Sequence, residues 1–278
     1  MLTIEDHRRD SAGMTYIYPV VSRRAGGVSI GVNLNVNNAC NWACAYCQVE
    51  DLGRGGPPPI DLALLGSELE RFLDDAVAGD FMVRAVPPES RRLVDVAFSG
   101  NGEPTSAPEF PAVVRLVREA LAARGLLPEV KIRLITNGSL LHRPAVQEGI
   151  REIGEAGGEV WFKVDRIGEE ATRAVNGAPS APATVLRRLE TCARLAPTWV
   201  QTCWFAVDGK APSEADRQAY CEFLKSLYGK IAGIHLYGLA RPSLRPGAER
   251  LGRLDSEELA AFAREIQEKT GIKVLISP

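Results

Sequence analysis

Histidine is scarce in this chain. Its 278 residues contain three, His7, His142 and His235, all distant from the cysteine-rich stretch. A structural zinc ion wants four protein ligands and finds no histidine to help supply them there. An excess of one charge is also missing: 33 Lys and Arg face 35 Asp and Glu, a formal net charge of −2, with both signs mixed along the length. Domains whose main task is gripping bulk nucleic acid are usually strongly basic, and this one is not. No apolar run approaches the roughly 18 residues a membrane span needs, and the opening residues MLTIEDHRRD lack the apolar stretch of a signal peptide. The expectation is a cytoplasmic, reducing location with no membrane contact. There the six cysteines serve as metal ligands or core thiols rather than disulfides. No repeat, low-complexity tract or long linker divides the chain.

What is present is a 45% hydrophobic composition, enough for a full core, in a regular alternation of periods. SIGVNLNVN (29–37) sets Ile30, Val32, Leu34 and Val36 against Asn33, Asn35 and Asn37, the period of a strand. Further strands are predicted over 93–100, 130–138, 159–165, 199–209, 231–239 and 272–277. Between them run helical stripes, such as Leu62, Leu65, Leu69, Phe72 and Ala76, or Phe110, Val113, Val117, Ala120 and Leu121. Later stripes start at Val146, Val185, Tyr220 and Leu259. Strand and helix alternate six times and a seventh strand follows, which calls for a parallel sheet wrapped in helices. The fold class is therefore α/β, a partial (β/α)6 TIM-like barrel with an extra C-terminal strand. Residues 1–28 read as an N-terminal arm and 29–278 as one domain.

The most informative stretch is NNACNWACAYCQVE (37–50), in which Cys40, Cys44 and Cys47 are separated by three and then two residues. Three thiolates can each ligate one iron of a cubane cluster and leave the fourth iron open. Zinc competes, because spacings like that of Cys44 and Cys47 also occur in zinc sites, and a redox pair would leave Cys40 unexplained. The loop follows the C-terminal end of the first strand, where parallel α/β proteins place ligands.

Here the chain resembles the radical S-adenosylmethionine (SAM) superfamily, whose hallmark is Cys-x3-Cys-x-aromatic-Cys; this sequence reads Cys40, Cys44, Tyr46, Cys47. The resemblance implies a 4Fe-4S cluster whose open iron is chelated by SAM, with Tyr46 against the adenine. FSGNGEPT (98–105) by itself reads as a strand-to-helix turn. Beside the cysteines it looks like the family's Gly-Gly-Glu element, with Gly100, Asn101, Gly102 and Glu103 receiving the methionine ammonium. Thr136, Asn137 and Gly138 would approach the ribose or carboxylate. Trp161, Lys163 and Asp165 share one face of a strand whose other face is apolar, which suggests a polar lumen. Asp165 then suits the ribose, and Lys163 the SAM carboxylate or the substrate. The implied chemistry is reductive SAM cleavage to a 5′-deoxyadenosyl radical that removes hydrogen from a substrate, fed by an electron donor such as flavodoxin or ferredoxin.

Over nearly the whole chain, YPVVSRRAGGVSIGVN, CNWACAYCQ, FSGNGEPT, LITNGSLL, FKVD, AVNGAP and LYGLARP follow the order of the wyosine-synthase-like group, whose characterised members modify a transfer RNA base. That resemblance implies a tRNA base or nucleoside as substrate; a peptide, protein or small metabolite is the alternative, and a non-catalytic iron–sulfur or zinc-binding module is the third. The group's second cluster has no ligand set here, because no cysteine precedes Cys40. Cys192, Cys203 and Cys221 are either core thiols or a second cluster site. His235, Tyr237 and Arg241 are candidate substrate contacts, as are either Gln201 with Cys203 or Thr202 with Trp204. The Arg23–Arg24 pair reads as solvated surface or as a phosphate contact at the barrel mouth.

Overall fold

The computed structural model describes Leu2, residues 12–22 and residues 25–277; His7 and the Arg23–Arg24 pair lie outside the described residues. Strands β1 (Ile17–Ser22) and β2 (Gly27–Val32) form an antiparallel pair. A long loop follows, with two-residue strands β3 (Ala39–Cys40) and β4 (Gly53–Arg54), and then helices α1 (Leu62–Val77) and α2 (Phe81–Ala85). Next come β5 (Leu93–Phe98), α3 (Phe110–Ala123), β6 (Lys131–Thr136), α4 (Pro144–Glu155) and β7 (Glu159–Lys163). Helices α5 (Glu169–Asn176) and α6 (Pro182–Leu195) precede β8 (Thr198–Cys203), β9 (Ala206–Val207) and α7 (Glu214–Lys225). The chain closes with β10 (Gly233–Tyr237), β11 (Leu251–Gly252), α8 (Ser256–Thr270) and β12 (Val274–Ser277).

Among the described residues the main sheet has 8 strands in the order β1-β2-β5-β6-β7-β8-β10-β12. Every neighbouring pair after β1–β2 is parallel. The result is a curled half-barrel that matches the expected α/β partial barrel. Helices pack where their stripes demand. Asp61 caps α1 by accepting from the Leu64 amide, and Leu65, Leu69, Phe72, Leu73 and Ala76 are buried. Leu62, expected on that stripe, is 36% exposed, and Leu73 takes its place. Alternation decides the rest. Ile30, Val96, Ile132, Val160, Val200 and Ile234 are buried under the helices, while Ser29, Asp95, Arg133, Lys163, Gln201 and Tyr237 line the lumen. The open choice on β8 resolves the same way. Trp204 stacks on Phe262 of α8 at 4.4 Å and Thr202 bonds Tyr220 of α7, so Gln201 and Cys203 face inward.

Three features differ from the sequence expectation. The arm before the first predicted strand contains β1, paired along all of β2. Its Pro19 argues for a sheet edge, which is where β1 lies. Helix α5 falls within a stretch that showed no clear apolar stripe. The parallel strands also end earlier than predicted, at Val32, Phe98, Thr136, Lys163, Cys203 and Tyr237; beyond β2, β5 and β6 the amides of Asn35, Asn101 and Asn137 bond motif side chains instead of a neighbouring strand. No helix among the described residues is long and apolar enough to cross a membrane.

The β1–β2 pair is closely fitted. A Cβ on Gly31 would lie 2.1 Å from Cζ of Tyr18, whose ring covers the glycine. Gly31→Val is expected to destabilise the fold by about 1–3 kcal/mol in urea unfolding. A Tyr18→Ala/Gly31→Val double variant should recover part of the loss; additive losses would mean that the contact is not the cause.

Candidate active site

The cysteine loop is held from three sides. On one, Asn33 and Asn35, buried just beyond β2, stitch it to the turn after β5. Asn33 Oδ1 accepts from the Asn101 amide at 3.1 Å, and Asn35 Nδ2 donates to the Ala39 carbonyl at 2.9 Å. This is why that turn carries glycine. A Cβ on Gly100 would stand 2.4 Å from Asn33 Oδ1, and one on Gly102 would stand 2.3 Å from the Ala39 oxygen. On the second side, the C-terminal end of α5 accepts from the loop: Ala43 N reaches the Asn176 carbonyl at 2.9 Å and Ala45 N reaches Val175 at 2.8 Å. On the third, the Ser243 hydroxyl donates to the Ala45 and Cys47 carbonyls at 2.6 and 3.1 Å.

Cys40, Cys44 and Cys47 are free, half-buried thiols in the wall of a single cavity of about 340 Å³. Burial raises the Cys40 thiol to about 11 and the Cys44 thiol to about 12, the latter against the pull of the Lys163 charge. The Cys44 sulfur also receives a hydrogen bond from Asn176 Nδ2 at 3.5 Å. Among the described residues no three His, Cys, Asp or Glu side chains converge as ligands of a single ion. A cluster takes one thiolate per iron, which three cysteines on one cavity wall can supply.

Two buried carboxylates organise the polar wall. Glu103 is 2% exposed. Its Oε1 accepts from the Thr105 amide, the Thr105 hydroxyl and the Thr136 hydroxyl at 3.2, 2.6 and 2.6 Å, and its Oε2 accepts from the Asn137 amide at 2.7 Å. Burial pushes this carboxyl above its ordinary value in spite of those bonds. Glu103 thus faces the cavity with its acceptor sites already engaged, tying the loop after β5 to the loop after β6. Thr136 and Gly138 serve that tie from behind the wall, and Asn137 lines the cavity itself.

Asp165, 1% exposed, accepts from the Tyr46 hydroxyl, from Asn176 Nδ2 at 2.7 Å and from the Cys203 amide at 2.8 Å. It lies behind the main cavity, against a crevice of about 10 Å³, so Tyr46 rather than Asp165 meets the lumen. Lys163 does face the cavity. Its Nζ donates to the Tyr237 hydroxyl at 3.2 Å and stands 4.0 Å from Asp165 Oδ2 and 5.0 Å from the Tyr46 ring centroid. Burial works most strongly against that charge, yet Asp165 together with Tyr237, Cys44 and Cys203 holds the ammonium above its ordinary value.

Deeper in the lumen lies a network that the sequence reading did not single out. Arg133 bonds Asp95 and, at 2.7 Å, Glu159, while Ser29 bonds Asp95 and the Trp161 indole donates to Glu159 at 2.9 Å. The signal was visible: Lys131 and Arg133 alternate with Ile132 and Leu134 inside a strand. Of the three proposed substrate contacts, Tyr237 and Arg241 line the cavity. His235 packs between Trp161 and Trp199, with ring centroids 4.5 and 4.6 Å away. Cys192 and Cys221 belong to the core between sheet and helices and Cys203 to a separate cluster on the lumen side, so these three do not form one site.

Comparison with known proteins places this curled parallel sheet in a family. The Radical SAM superfamily model matches residues 34–224, well over half of the chain, and the chain belongs to that superfamily. Membership implies an enzyme that uses SAM and an iron–sulfur cluster for radical chemistry. A UPF0026 protein of Helicobacter pylori (strain 26695) is 29% identical over 163 residues, covering 57% of this chain and 44% of that protein. One of Methanocaldococcus jannaschii is 28% identical over 158 residues, covering 57% and 42%. The chain thus spans less than half the length of these curated relatives. Among solved structures, a radical SAM methyltransferase from Sphaerobacter thermophilus superposes with a TM-score of 0.60 at 14% identity, over 93% of this chain and 68% of that one. The AdoMet-bound anSMEcpe gives 0.55 at 17% identity, over 88% and 63%. These two likenesses show the fold.

Replacing Glu103 by Gln would set an amide N–H₂ against donors and strand at least one of them in a buried site. Glu103→Gln is expected to cost about 2–3 kcal/mol in denaturant unfolding. Unchanged stability would mean that this carboxylate does not tie the two loops.

Proposed function

We propose that Cys40, Cys44 and Cys47 hold a 4Fe-4S cluster and that SAM fills the cavity beside it, for radical modification of a transfer RNA base or nucleoside. The observation that carries this reading is the shared wall: three free thiols, a glycine-rich turn, Tyr46 and Lys163 all face one cavity. When bound, cluster and SAM supply a 5′-deoxyadenosyl radical that removes a hydrogen atom from the substrate. The chain's own residues do the positioning. The bare backbone of Gly100–Gly102 lets a ligand approach closely, and the charge of Glu103 favours the methionine ammonium. Lys163 suits a carboxylate, Asn137 a hydroxyl or carboxylate, and Tyr46 offers a ring face to the adenine. Asp165 acts through Tyr46 and Asn176. Electrons come from a small carrier such as flavodoxin or ferredoxin.

The tRNA substrate is supported by the motif order shared with the wyosine-synthase-like group. A peptide or small-metabolite substrate is the second reading. One structural neighbour was solved with both AdoMet and a peptide bound.

The test is 5′-deoxyadenosine formation by anaerobically reconstituted protein with reductant, with and without total tRNA. Stimulation by RNA that is lost in Cys44→Ala supports the first reading. Equal slow cleavage with and without RNA moves the substrate to the second, and no product under any condition refutes both. Asn176 offers an independent check, because hydrogen bonds to cluster sulfurs raise the reduction potential. Asn176→Leu is expected to keep its iron but to titrate at a more negative potential, read by EPR. An unmoved potential would show that the Asn176–Cys44 contact is not made to the loaded site.

A further inference from the structure

Among the described sheet residues that face the lumen, one side chain has bonding capacity left over. Gln201, on β8, is 2% exposed and lines the cavity. Its main chain is engaged in the ladder, but its carboxamide makes no hydrogen bond to any described residue. Among the described residues the buried side-chain atoms left without a partner belong to Glu109 and Glu152, so the Gln201 amide is open to the cavity rather than sealed in the core. An amide that faces a cavity and bonds no protein group is free to recognise what enters it.

The surroundings narrow what that ligand can be. In register, Gln201 lies beside Lys163 on β7 and His235 on β10, with Trp161 one step below and Tyr237 one step above. The cations nearby already face carboxylates: Arg133 meets Asp95 and Glu159, and Lys163 meets Asp165. With the SAM carboxylate placed beside Lys163, a further charged group would upset that balance in a buried site. A carboxamide presents a donor and an acceptor side by side, so its best complement is an uncharged edge that does the same. Trp161 and Tyr237 bring aromatic rings to the same wall, which suits a planar ring.

We propose that Gln201 is a specificity-determining residue that reads the lactam edge, an adjacent ring N–H and C=O, of an uncharged planar heterocycle placed in the lumen. This rests on the reading of the cavity as the reaction chamber and adds to it the class of group that enters.

The test is binding rather than turnover. Uracil and guanosine carry the edge; 1,3-dimethyluracil keeps the ring and carbonyls but has no N–H. With SAM present, titration followed by tryptophan fluorescence and calorimetry should show either lactam binding at least about tenfold more tightly than dimethyluracil. In Gln201→Leu that preference should vanish. Its melting temperature should stay close to that of the wild type, since the amide that is lost makes no hydrogen bond to the protein and leucine is of similar size. Gln201→Glu, which can accept but not donate when ionised, should retain only part of the preference. Failure of both lactams to bind the wild type, or a preference that survives Gln201→Leu, would overturn the proposal. So would a clear fall in the melting temperature of Gln201→Leu, because it would make Gln201 a packing residue. Wild-type 5′-deoxyadenosine formation is measured alongside: its absence would sink the radical reading and leave the binding result to stand or fall by itself.

Discussion

A carboxylate removed from water is expensive unless its surroundings return the lost hydrogen bonds, and Asp165 makes that constraint productive. Three donors reach it, from Tyr46 in the cysteine loop, Asn176 at the end of α5 and the Cys203 amide on β8, and the Lys163 ammonium lies close by. Each donor comes from a different part of the chain. None of the four groups can move without leaving a buried charge short of partners, so the cysteine loop, the helix and two strands are locked to one point. Glu103 does the same for the loops after β5 and β6. The cysteine loop has little regular structure of its own and depends on such ties for its shape.

The ties also explain why the sheet ends where it does. Parallel ladders could continue past Val32, Phe98 and Thr136, but there the backbone groups are claimed by Asn33, Asn35 and Glu103. The strands give up regular pairing to gain a polar rim, and the rim is where three thiols and an ammonium face one cavity. Beneath it, the Arg133 network with Asp95 and Glu159 fills the lumen with neutralised charge rather than with an apolar plug.

Period and spacing made much of this readable beforehand. The strand period on 93–98 and 131–136 and the helical stripes of α3 and α8 are strong enough to survive tertiary context. The cysteine spacing needs no coordinates to suggest a cluster. Other parts were illegible for identifiable reasons. β1 was hidden because Pro19 speaks against a strand until the strand is known to be an edge. The ties made by Asp165 and Glu103 were hidden because a sequence shows a carboxylate's charge but not how many protein donors surround it. Asn176 was visible only as a letter in AVNGAP, since its contact with Cys44 joins residues far apart in the chain. The choice between Gln201 and Thr202 on β8 turned on which side Trp204 took, and that needed Phe262.

The sheet has two ends, β1 and β12, that do not pair with each other. A closed barrel would make its interior a container, and only molecules small enough to be swallowed could be served. A half-barrel works instead like an open-jawed spanner. The object gripped can be far larger than the jaw, provided that one protruding group fits between the ends. Lumen volume then limits the size of the reacting group, while the size of the molecule bearing it is limited only by what can come up against the gap.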